Sequence, residues 1–236
     1  MAANLSSHAL RGDYAHINPD YTVAQPYAAY TDEQHDRWRR LYRRQMALMP
    51  RYALAQTISF TDPRIKAVAT VSMYDIGQAH RQGLAENLDT AALKKNLAAI
   101  SKQRWAEVDG AERTMIMGTP QKITEKSSEI DKEFYDYYRT PRGQHPRSST
   151  AFWRTSGAQM MLFSSFEHFD WMSPRPVLFI TGDHAHSRIF SEQAFKKASE
   201  PKELCVVPNA GHVDLYDRVN LIPWDKLTSF FTENLK

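Results

Sequence analysis

The stretch that decides the fold runs from Arg175 to Asp217 and reads RPVLFITGDHAHSRIFSEQAFKKASEPKELCVVPNAGHVDLYD. RPVLFITG has the length, the apolar content and the glycine stop of a buried strand. SEQAFKKASE follows at helical spacing, with Ser191 as its expected cap. KELCVVPNAG is a second strand. IPWDKLTSFFTENL beyond it is a second helix, with Pro223 in its first turn and Trp224, Leu227 and Phe231 expected inward. Strand, helix, strand, helix at these spacings requires parallel strands joined by right-handed crossovers, so the expected class is α/β.

Upstream, IKAVATVSMY (Ile65–Tyr74) is short, nearly uncharged and rich in small and β-branched residues, as a third parallel strand would be. Between it and Arg175 the signals are mainly helical. Leu93–Trp105 carries Leu93, Leu97 and Ile100 on one face. Ser128–Tyr138 turns Ile130, Phe134, Tyr137 and Tyr138 inward. RTPRGQHPRSS is a loop by its Pro and Gly content. Residues 76–165 are expected to form a helical cap over the strand ends. Residues 1–51 differ in character. A polar, proline-broken arm precedes a helix opened by the capping box TDEQ at Thr31 and closed by Pro50.

The bulk properties narrow the classes. The chain has 236 residues, 42% apolar and 24% charged, in the range of a soluble globular domain. Its apolar runs are far shorter than the ~20 residues of a membrane span, and no secretory leader is readable, so no membrane role is expected. Cys205 is the only cysteine, which excludes an internal disulfide and agrees with a reducing cytoplasm. A net charge of +3 gives no reason to expect nucleic acid. The arginines between Arg37 and Arg51 read as the solvated face of an amphipathic helix.

In such sheets the reactive groups gather at the carboxyl ends of the strands. Here those ends carry Ser72, Tyr74 and Asp75; then Asp183, His184 and His186; then His212, Asp214 and Asp217. Histidine and carboxylate on successive strand ends is the layout of a base and its orienting acid.

The segments MSPRPVLFITGDHAHSRIFSEQAFKKASEPKELCVVPNAGHVDLYD and TDPRIKAVATVSMYDIG resemble the C-terminal part of bacterial α/β-hydrolases related to dienelactone hydrolases. The resemblance covers about Tyr52 to Lys236. It implies a partial α/β-hydrolase fold of about three parallel strands, an ester-like small-molecule substrate and no cofactor. It implies His212 as triad base and Asp183 as the acid, although GDHAHSR sets His186 where relatives carry aspartate. The family also needs a serine in a G-x-S-x-G elbow. None of the nine glycines precedes a serine by two positions, and the place of the elbow holds MALMPR. Weak or absent hydrolysis is therefore expected.

Residues 9–54, including LRGDYAHINPDYTVAQPYAAYTDEQHDRWRRLYRRQMALMPRYA, resemble the N-terminus of bacterial phenylalanine 4-hydroxylases. That family holds iron with two histidines and a glutamate. No pair among the nine histidines fits the H-D-x-x-G-H pattern, so the resemblance brings no metal site. An aromatic amino acid hydroxylase fragment is the third functional reading. The second is a truncated or hybrid chain that acts only as a binding module and self-associates through an exposed sheet edge.

Other positions have plainer readings. Ser72 and Ser156 lack the glycines of an elbow and read as structural serines. HAH at 184–186 offers two metal ligands without a third. Cys205 is a buried apolar filler, and Trp105, Trp153 and Trp224 are core or pocket wall.

Overall fold

The structure, a computed structural model, describes residues 59–148, 150–164 and 166–235. The arm and helix expected over residues 1–51, and the junction near Met49, lie outside these residues. The described elements in chain order are β1 (Val68–Val71), α1 (Ile76–Gln82), α2 (Thr90–Val108), β2 (Met115–Met117), α3 (Glu129–Tyr138), β3 (Ala151–Trp153), α4 (Gly157–Leu162), β4 (Val177–Gly182), α5 (Arg188–Lys197), β5 (Lys202–Val207), α6 (Asp214–Asp217) and α7 (Trp224–Asn234).

Three strands, all parallel, form one sheet in the order β1-β4-β5. All six residues of β4 are buried, because β4 has a neighbour on each side and a helical layer on each face. The period of two divides its side chains between two cores. Val177 and Phe179 point into one, with Phe190 and Ala194 of α5 and with Phe169 and Met172. Leu178 and Ile180 point into the other, with Leu215, Phe230 and the half-buried Leu227 and Phe231. Each fully buried Leu, Ile or Phe here stabilises the fold by about 1.5–3 kcal/mol relative to exposure. Arg175 fastens the chain ahead of β1 to the start of β4. Its guanidinium donates to the carbonyls of Ser59 (2.5 Å), Asp62 (3.1 Å) and Ile65 (3.1 Å).

Several local expectations shift. Helix α5 starts at Arg188 with Ser187 at its N-cap position, so Ser191 is buried inside the helix. The earlier start buries Phe190, which a helix beginning at Ser191 would leave in the loop. Helix α2 is longer than expected, and Leu97 faces solvent while Ile100 is buried. Pro223 precedes the first turn of α7 as its N-cap, and Trp224 is exposed, its indole N–H spent on the Val219 carbonyl at 3.0 Å. Trp105 and Trp153 are exposed as well. The segment between β1 and β4 is not wholly helical. It contains the antiparallel pair β2–β3, whose three-residue strands are too short to show a clear alternation in sequence.

Candidate functional site

Two imidazoles meet at the carboxyl end of the sheet. His186 follows β4, His212 follows β5, and their ring centres are 4.9 Å apart. The approach depends on Gly182, the last residue of β4. A Cβ at that position would lie 2.0 Å from the Ala210 carbonyl oxygen, so strand and turn pack backbone against backbone. Asn209 supplies the left-handed corner of the turn with φ 56°.

His212 is buried. Its Nδ1 lies 2.6 Å from Ser187 Oγ, and its Nε2 lies 2.7 Å from the Tyr216 hydroxyl. Ser187 is itself fully buried at the mouth of α5. Asp183 stands elsewhere. Its Oδ1 accepts from the backbone N–H of Ala210 at 3.3 Å, and His184 Nδ1 is 3.8 Å away. Desolvation works to raise its pKa. The backbone N–H groups of Asn209 and Ala210 outweigh that and hold it below the ordinary carboxylate value. Asp183 therefore stiffens the base turn from below, and Ser187 faces the imidazole nitrogen expected to face an acid.

His186 is held differently. Its Nδ1 lies 3.0 Å from Glu133 Oε2, and its Nε2 lies 2.5 Å from the Tyr74 hydroxyl. Glu133 belongs to α3, which begins with a capping box between Ser128 and Asp131. Its other oxygen, Oε1, accepts from the Val213 N–H at 3.0 Å. Burial pushes the Glu133 carboxyl up, but the bonds from His186 and Val213 outweigh it and keep the group ionised below its ordinary value. An ionised carboxylate only accepts, so His186 Nδ1 must carry the proton. In the neutral ring, Nε2 then accepts from the Tyr74 phenol.

The two lines share one aromatic cage. Phe134 meets both rings edge-on, at 5.2 Å from His186 and 5.6 Å from His212. Tyr74 lies 5.0 Å from His212 and 4.8 Å from Phe190. Just beyond α3, Arg142 binds the segment after His212. Its Nε and Nη2 take the two oxygens of Asp217 at 2.9 and 2.8 Å, and Nη2 also reaches the Val213 carbonyl at 3.1 Å and Asp214 at 3.2 Å. The acidic residues after His212 are thus a docking point for the segment that follows α3. Sequence reasoning had Tyr74 and His186 at strand ends, weighed His186 only as the occupant of the relatives' aspartate position or as one of two metal ligands, and read α3 only as a cap helix. The missed residue is Glu133. A carboxylate at the fifth residue of α3 gave no signal for its partner 53 residues away.

Ser72 leaves β1 with φ 46° and its hydroxyl is buried. Ser156 lies in a single turn of 3₁₀ helix ahead of α4. Neither stands on a strand-to-helix elbow with flanking glycines. Cys205 is half-buried in β5 against the second core, and burial pushes its thiol up.

No family model matches the chain. Two curated relatives are uncharacterised proteins. PA2218 of Pseudomonas aeruginosa is 38% identical over 183 residues, covering 74% of this chain and 47% of the relative. YcjY of Escherichia coli is 28% identical over 157 residues, covering 66% and 51%. The chain thus spans about half the length of the curated relatives it matches. The crystal structure of PA2218 superposes with a TM-score of 0.72 at 35% identity, over 77% of this chain and 57% of that one. The α/β hydrolase GrgF from a Penicillium species gives 0.56 at 16% identity, over 77% and 60%. DcsB, solved with a substrate analogue, gives 0.59 at 17%, over 77% and 61%. The parallel sheet with flanking helices is therefore the α/β-hydrolase fold. The resemblance of residues 9–54 to phenylalanine hydroxylases falls on residues outside those described.

Proposed function

We propose that this chain is a serine-hydrolase-lineage protein of the dienelactone-hydrolase kind, suited to small ester or acyl substrates, in which ester turnover is weak or absent. His212 is its ancestral base. The observation that carries this reading is the company of His212. Hydroxyls occupy both ring nitrogens, from Ser187 and Tyr216, while the sequence contains no G-x-S-x-G. A serine nucleophile would have to displace the Tyr216 phenol from Nε2, and no elbow exists in this sequence to present one. The elbow also supplies an oxyanion-hole amide, the loss of which costs a factor of about 10²–10³ by itself. The fold shared with hydrolases supports the lineage.

Stopped-flow hydrolysis of p-nitrophenyl acetate tests it. The expected result is a release that His212→Ala leaves little changed, with no burst that depends on His212. A burst of nitrophenolate stoichiometric with protein and abolished by His212→Ala overturns the reading.

A further inference from the structure

We propose that Tyr74, His186 and Glu133 form a second nucleophile–base–acid line, in which the Tyr74 phenol takes an acyl or sulfonyl group from a small activated electrophile. The hydrolase reading contributes only the substrate class. The line itself rests on geometry. Phenol, imidazole and carboxylate are joined in order by contacts of 2.5 and 3.0 Å. They come from three elements: the end of β1, the end of β4, and α3. In the neutral ring the carboxylate fixes the tautomer, so Nε2 faces Tyr74 with a lone pair, as a general base requires. Phe134 packs on the imidazole and holds its plane. Tyr74 is part-buried, whereas Ser187 is fully buried.

Burial, with Glu133 and Tyr138 nearby, pushes the phenol well above its ordinary value. The resting group is neutral, and its proton must be taken by a base in contact during attack. His186 is that base. With an ester, the Tyr74 Oη–carbonyl carbon bond forms and the carbon–oxygen bond to the leaving group breaks. The phenol proton passes to His186 Nε2 and then to the departing alkoxide. Water deprotonated by the same imidazole can then cleave the aryl ester and return Tyr74. With a sulfonyl fluoride, the Oη–S bond forms, the S–F bond breaks, the proton passes to His186 and then solvent, and fluoride leaves. That adduct is stable, so it records the first step alone.

The test is labelling of the full chain with methanesulfonyl fluoride, followed by peptide mass mapping and a rate for each variant. The expected result is a single adduct on Tyr74, lost in Tyr74→Phe, and slowed about a hundredfold in His186→Gln, the usual worth of a general base. Glu133→Gln, which keeps a side chain of the same shape on α3, slows it by about tenfold or more. Circular dichroism melts of each variant separate loss of labelling from loss of fold. No adduct on Tyr74, or an unchanged rate in His186→Gln, overturns the proposal and leaves the elbow-less reading of His212 standing. An adduct on a serine that depends on His212 overturns both.

Discussion

His186 and His212 stand 4.9 Å apart, on neighbouring strand ends of one sheet, yet they are different chemical objects. His212 has the turn of a triad base and is surrounded by alcohols and phenols. His186 stands where hydrolase relatives carry an aspartate, and it has the carboxylate of Glu133. The difference teaches that strand-end position alone does not make a base. A hydroxyl can donate or accept, so Ser187 and Tyr216 leave the tautomer of His212 adjustable. Glu133 can only accept, so it dictates the tautomer of His186. The same glutamate ties the two sites together, because its second oxygen holds the Val213 N–H just past His212.

The comparison breaks most completely if the two strand ends are forced apart. Gly182→Ala places a Cβ against the Ala210 carbonyl, and backbone must move. A loss of about 3 kcal/mol in stability is expected, with lowered thermal melting. Proton exchange at both imidazoles should quicken in the NMR spectrum. A melt equal to that of the parent chain would show that the close approach is not a constraint.

A smaller effect sharpens the shared role of Glu133. Its carboxyl is held below its ordinary value in the fold. The stability it contributes is therefore present above the pKa of the unfolded carboxyl and is lost as pH falls through the lowered folded pKa. Glu133→Gln should flatten that acid limb and cost about 1–2 kcal/mol near neutral pH, the worth of charge-assisted bonds. Melting curves of both proteins between neutral and acid pH check this. Equal pH dependence would remove Glu133 from the account.

The smallest effect isolates His212. Ser187→Ala removes one hydroxyl from a buried pair and should cost about 1 kcal/mol. Long-range proton–nitrogen NMR should show changed ring-nitrogen shifts at His212 and unchanged ones at His186. Equal changes at both would mean that the two lines are one network.

Much of this molecule is written locally. The run PVLFIT has no charge and no helical spacing, so it reads as a buried strand, and every residue of β4 is buried. The capping box at Ser128 and the turn ahead of His212 are equally local. Where sequence reading slipped, a tertiary contact had outbid a local signal. Ser191 looks like a cap, but burying Phe190 extends α5 past it. Trp224 looks like core by its size, but only Leu227, Phe230 and Phe231 of α7 reach the second core.

The sequence by itself determined the α/β class, the three parallel strands and the set of reactive residues at their carboxyl ends. These follow from periods of two and 3.6 and from turn residues, which are properties of neighbours in the chain. Only the tertiary structure decided which imidazole receives a carboxylate. Tyr74 is 112 residues from His186, and Glu133 is 53 residues from it. Such meetings depend on crossover paths and on the rotation of α3 about its axis, which no local pattern encodes. Asp183, one residue past its strand, was therefore the natural expectation for an acid. The fold instead spent its carboxylate on the turn backbone and brought Glu133 to His186 on α3.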